Sequence, residues 1–140
     1  MNPADWRPTA KIEVMRQRAA MLARARTWFA AERVLEVQTP LLSAAASSEP
    51  QIESIAAAPL QAPALYLQTS PEYPMKRLLA AGVGDCYQIC PVFRDGESGR
   101  LHNPEFMMIE WYRVGFGVAQ LQQDVDRLLR ATIGSLRPLA

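Results

Sequence analysis

Arg94, Arg100 and His102 fall in one stretch, CYQICPVFRDGESGRLHNPEFMMIEWYR from Cys86 to Arg113, and His102 is the single histidine of the chain. Arginine offers N–H donors in a fixed fork, and histidine adds a further donor. Three such side chains on one loop suit the wrapping of a polyphosphate. A plain turn needs none of them. Downstream lie Phe106, Met108, Glu110 and Tyr112, two residues apart. A carboxylate and a phenol together make a receptor for an ammonium group. A further acid, Glu72, follows Ser70-Pro71.

The elements that must hold these groups can be read from the pattern. Tyr87–Phe93 and Phe106–Tyr112 are apolar, β-prone runs, and the polar, glycine-containing residues 94–104 between them read as a long hairpin loop. In a strand, Phe106, Met108, Glu110 and Tyr112 share one face, and Glu105, Met107, Ile109 and Trp111 share the other. The first is a poor core face and a good ligand face. The second suits packing against a helix. An ordinary antiparallel hairpin with a half-wet face fits the same pattern. Before it, Ala64–Thr69 reads as a strand. Ser70-Pro71-Glu72 reads as a helix start, with Ser70 as N-cap, Pro71 at the first position and an acid in the first turn. That helix is expected to end near Ala81, before Gly82. On pattern alone, Glu72 does no more than complement the helix dipole.

Phe93-Arg94, followed by His102-Asn103-Pro104-Glu105-Phe106, resembles motif 2 of class II aminoacyl-tRNA synthetases, in the form of the lysyl branch. Within that branch the chain is most similar to the small stand-alone paralogues that attach β-lysine to elongation factor P. The resemblance spans residues 1–140 as the N-terminal part of a catalytic domain, with motif 1 at about 14–40 and motif 2 at about 87–112. It implies an α+β fold, an antiparallel β-sheet flanked by helices. It implies ATP-dependent activation of lysine or β-lysine as an adenylate, for transfer to elongation factor P or, alternatively, to tRNA. Arg94 is then the catalytic residue on the α-phosphate. Arg100 and His102 face the outer phosphates, Phe106 stacks on adenine, and Glu97 and Asn103 complete the ATP site. Glu72 takes the α-amino group, and Glu110 with Tyr112 line the side-chain pocket. Mg2+ is expected with ATP, but its acidic ligands align beyond residue 140, as does motif 3. A non-catalytic dimerisation or nucleotide-binding module is therefore a second expectation. The pattern is also broken at Gly96, where the family carries Glu and this chain carries Glu one residue later, at Glu97.

The remainder is consistent with one globular domain. The length of 140 residues suffices for a core, 49% of residues are apolar and 21% charged, and the net charge is +1. So small a charge gives no general field for nucleic acid. No run approaches the ~20 apolar residues of a membrane span. The start, MNPADWRPTAKIE, has no apolar signal region, so a cytoplasmic location is expected. Cys86 and Cys90 would lie roughly 13 Å apart on a strand, too far for a disulfide, and lack partners for zinc, so both are expected as buried thiols.

Residues 1–8 read as an irregular lead-in. Thr9 could cap a helix over Ala10–Ala31, with Ile12, Met15, Ala19, Leu22, Ala25 and Phe29 at helical spacing. The arginines around that stripe read as a solvated face. A short strand follows over Val34–Val37. This helix–strand unit ending at Pro40 resembles motif 1, which implies a homodimer interface. Leu41–Pro63 is expected as a mobile loop with a strand near Ile52–Ala57. Val118–Ile133 is expected as a core-covering helix whose stripe runs through Leu121, Val125, Leu128, Leu129 and Ile133, closed by Gly134 and Pro138.

Overall fold

The eight residues Cys86–Phe93 combine β-branched and aromatic side chains with buried thiols, and they form the strand around which the sheet is built. In the computed structural model, which describes residues 7–59 and 63–134, the elements are α1 (Ile12–Ala31), β1 (Leu35–Glu36), β2 (Leu42–Ser43), β3 (Ala56–Ala57), β4 (Leu65–Leu67), α2 (Glu72–Ala80), β5 (Cys86–Phe93), β6 (Glu105–Tyr112) and α3 (Val118–Ile133). Most of the expected lead-in, part of the 41–63 loop and Pro138 lie outside the described residues. The chain divides into two units. One runs from Val34 to Val114, and the other holds α1 and α3.

In the Val34–Val114 unit, β5 is the middle strand of the order β1-β5-β6. It pairs antiparallel with β6 in unbroken register from Cys86 opposite Tyr112 to Phe93 opposite Glu105. On its other side it pairs parallel with β1, Leu35 opposite Cys86. The expected antiparallel sheet thus carries one parallel pairing, contributed by β1, which is only two residues long. Cys86, Cys90 and Val92 are buried, as are Tyr87 and Gln88. Both cysteines are free thiols, as expected. Burial pushes both thiols above their usual range. The Asp85 carboxylate closes the open end of the hairpin, accepting from the Val114 amide at 2.7 Å and pairing with Arg113 at 3.3 Å.

A second, antiparallel sheet has the order β2-β4-β3. Gln68 joins the two. Its amide donates to the Leu41 carbonyl and its carbonyl accepts from the Phe93 amide, each at 2.9 Å, while its side chain donates to the Pro91 carbonyl at 3.0 Å. The expected strand over Ile52–Ala57 is reduced to Ala56–Ala57, because Glu53 instead forms a bridge with Asp95. The 43–49 segment is tied by hydroxyls. The Ser47 amide donates to Ser54 Oγ at 2.9 Å, the Glu49 amide donates to Ser47 Oγ, and the Ser48 and Tyr73 hydroxyls are bonded to each other. Helix α2 begins with Glu72 after Pro71, which occupies the cap position in place of Ser70. Gly82, at φ +85, reverses the chain after it, a left-handed conformation that glycine adopts at no steric cost.

In the other unit, α1 packs against α3, and the Arg24 guanidinium donates to the Thr132 carbonyl at 2.8 Å. Lys11, not Thr9, precedes α1, and no side chain caps it. Only Ala25 and Phe29 of its stripe are buried, while Ile12 and Met15 are exposed. Helix α3 has the expected bounds but a rotated buried face. Asp124, Leu128 and Thr132 are buried, whereas Val125, Leu129 and Ile133 are about half exposed. The two polar members of that face each have a partner. Asp124 is paired with Arg127 at 2.6 Å, and the Thr132 hydroxyl donates to the Leu128 carbonyl at 2.7 Å.

Candidate active site

The sides of a cavity of about 720 Å³ come from three places in the Val34–Val114 unit: the 42–49 segment, the end of β4 with the start of α2, and the β5–β6 hairpin. The hairpin sends in Arg94, Met108 and Glu110. The alternation of β6 is the reason, since Met108 and Glu110 point to the same face.

Glu110 is the most constrained acid of the site. The Tyr112 hydroxyl donates to its Oε1 at 2.7 Å, and the Ser70 hydroxyl donates to its Oε2 at 3.1 Å. Burial, and then the adjoining Glu110 carboxylate, push the Tyr112 phenol well above its usual range. Tyr112 therefore stays protonated and acts as a donor to Glu110 across neutral pH. It stands behind the carboxylate and does not itself line the cavity.

Glu72 lines the cavity at the first turn of α2 and pairs with Lys76 one turn later, at 2.5 Å. This carboxylate raises the ammonium pKa of Lys76. Helix geometry accounts for the pair, because residues four apart share a face.

Arg94 opens the hairpin loop, its amide donating to the Pro104 carbonyl at 2.9 Å. Its guanidinium lies 5.1 Å from the centroid of the Phe106 ring, 3.5 Å from Glu97, and within 3.4 Å of the Thr69 carbonyl. Gly96 has φ +73, a left-handed conformation that favours glycine. The acid stands one residue later, where Glu97 lies 3.5 Å from Arg94. Arg100, His102 and Asn103 stand on the exposed end of the loop and do not line the cavity. A tight turn, in which the Gly99 amide donates to the His102 carbonyl at 3.0 Å, holds that end.

The structure thus brings Arg94, Glu72 and Glu110 to one cavity, sets Phe106, Glu97 and Tyr112 directly behind them, and leaves the loop tip apart. Sequence reasoning missed Ser70 as a site residue, and it missed the wall formed by Ala44–Ser47, Tyr73 and Arg77. The serines of the 43–54 segment were the available signal, since short hydroxyl side chains recurring in a loop hydrogen-bond nearby amides.

Residues 2–137 match the family model for class II tRNA synthetases (D, K and N). The chain belongs to this family. It is 51% identical over 132 residues to the elongation factor P--(R)-beta-lysine ligase of Vibrio vulnificus (strain YJ016), covering 91% of this chain and 41% of that protein. It is 45% identical over 138 residues to the ligase of the same name from Vibrio cholerae serotype O1, covering 95% and 43%. The chain therefore spans about two-fifths of the length of these relatives. Among solved structures, asparaginyl-tRNA synthetase from Pyrococcus horikoshii, complexed with asparaginyl-adenylate, superposes with a TM-score of 0.77 at 19% identity, over 86% of this chain and 27% of that one. That likeness carries the class II fold, a mixed α and β architecture.

Proposed function

We propose that this chain forms the motif 1 and motif 2 part of an AMP-forming ligase that activates lysine or β-lysine for transfer to elongation factor P. The observation that carries this is the meeting of Arg94, Glu72 and Glu110 on one cavity: a cation for phosphate and two acids for a substrate with two amines. The names and identities of the Vibrio relatives supply the acceptor.

In the reaction, a carboxylate oxygen of the amino acid attacks the α-phosphorus of ATP. The bond from that phosphorus to the bridging oxygen breaks, and pyrophosphate leaves with the electron pair. Negative charge builds on the α-phosphate, and Arg94 neutralises it. To do so it exchanges Glu97 for phosphate oxygens. Phe106, freed of the guanidinium, offers its ring to adenine. Glu97 and Asn103 flank the nucleotide, while Arg100 and His102 approach the outer phosphates as the loop tip moves in. Glu72 releases Lys76 to take the α-amino group. Glu110, oriented by Tyr112, takes the side-chain ammonium. Mg2+ is proposed to accompany ATP; among the described residues no group of three or more His, Cys, Asp or Glu could hold a metal ion. No step is routed through the ion here. Two copies are proposed to associate through the exposed half of α1, in the cytoplasm. No helix among the described residues is long and apolar enough to cross a membrane.

ATP–pyrophosphate exchange by the protein that carries these residues tests the proposal. Exchange should depend on (R)-β-lysine or L-lysine and be absent with L-aspartate or L-asparagine. Exchange driven equally by aspartate would overturn it.

A further inference from the structure

Ser70 touches the carboxylate of Glu110 and the backbone amide of Glu72. Its hydroxyl donates to Glu110 Oε2 at 3.1 Å, and the same oxygen accepts the Glu72 amide at 3.0 Å. A serine hydroxyl has one proton to give and two lone pairs. Here the proton goes to β6 and a lone pair goes to the first residue of α2. Tyr112 holds the other oxygen of Glu110 at 2.7 Å, so the plane of that carboxylate is fixed from both sides. Each carboxylate oxygen still has a lone pair for a ligand, since an ionised carboxylate accepts at about four positions.

We propose that Ser70 is a positioning residue that couples the receptor for the α-amino group to the receptor for the side-chain ammonium, setting the span between Glu72 and Glu110. This deepens, and rests on, the lysine-type reading of the cavity above. The local sequence explains how Ser70 comes to be free for the task. Pro71 takes the cap position and has no N–H, so the first amide that Ser70 can meet is that of Glu72. A hydroxyl that served α2 alone would need no contact with β6. The bond to Glu110 joins residues forty positions apart and is charge-assisted.

The test compares the affinity of the chain for L-lysine with that for L-norleucine, which has the same α-amino acid frame and no side-chain ammonium. The variants are Ser70→Ala and Ser70→Thr, followed by titration calorimetry or NMR shifts, with circular dichroism to check folding. Ser70→Ala should weaken lysine binding about tenfold and leave norleucine nearly unchanged, and Ser70→Thr, which keeps the hydroxyl, should restore the preference. If Ser70→Ala unfolds, Ser70→Cys replaces it, because a thiol is similar in size and a weak donor. An equal loss for both ligands would reduce Ser70 to a support of α2 and overturn the inference, as would unchanged lysine binding. A wild-type chain that does not prefer lysine to norleucine would overturn the lysine-type reading itself, and the inference with it.

Discussion

The guanidinium of Arg94 lies over the ring of Phe106, 5.1 Å from its centroid, with Glu97 3.5 Å away. A cation on an aromatic face with an acid beside it is the resting arrangement that the proposed role of Arg94 toward phosphate starts from. In the proposed reaction, ATP displaces the guanidinium from the ring so that adenine can use it.

Arg94→Ala should therefore slow adenylate formation by about 10²–10³-fold, the loss typical of removing one donor that stabilises developing charge. Single-turnover kinetics on the protein carrying these residues measures it. A change below about threefold would make Arg94 a structural partner of Phe106 and no more.

Gly96 gives a second prediction. Its φ of +73 favours glycine, and open space surrounds the position where a Cβ would stand. Gly96→Glu, which places the acid where the family pattern has it, should destabilise the protein by about 1–2 kcal/mol through backbone strain alone. It should not tighten ATP binding while Glu97 remains. Urea unfolding and nucleotide titration read the two effects. Tighter ATP binding in the variant would show that Glu97 does not stand in for the missing acid.

A third concerns pH. The Cys86, Cys90 and Tyr112 side chains all have raised pKa values in the folded chain, each chiefly through burial. An acid whose pKa is raised by folding binds more protons folded than unfolded, so its stabilising contribution is complete below the unfolded pKa and declines above it. Stability should therefore be level through neutral pH, fall from about pH 8.5 as the unfolded thiols ionise, and fall more steeply from about pH 10. Tyr112→Phe should flatten the steeper part. Urea midpoints between about pH 7 and 11 measure this, and an unchanged slope in Tyr112→Phe would contradict the assignment.

Much of this site was legible because it lies on elements with a strong local signature. The alternation through Phe106, Met108, Glu110 and Tyr112 gave one face of β6, of which Met108 and Glu110 line the cavity, and the glycine and proline punctuation bounded α2 and the hairpin loop. What was not legible depended on contacts distant in sequence. The bond from Ser70 to Glu110 and the three-way tie made by Gln68 have no periodic trace. The buried face of α3 differs from the expected one because apolar spacing nominates Leu129 and Ile133, whereas Asp124 and Thr132 are buried with polar partners of their own.

A fourth prediction uses α1. Its residues 12–16 are exposed, among them Ile12 at 68% and Met15 at 44%. We expect two copies to cover this surface, as apolar patches of this kind mark association sites. Ile12→Lys with Met15→Lys should convert a dimer to a monomer at micromolar concentration without changing the helix content. Sedimentation of the wild-type chain as a clean monomer would contradict this.

The most direct test of the account is the binding of (R)-β-lysine and L-lysine to the chain, compared between wild type and Glu110→Gln. The substitution keeps the shape of the side chain and removes the charge that meets the ammonium. The account predicts binding of at least one of the two amino acids by the wild type and a loss of about 10–100-fold in the variant, the range for removing a charged hydrogen-bond partner. Equal affinity in the two proteins would contradict the assignment of this cavity to a lysine-type substrate.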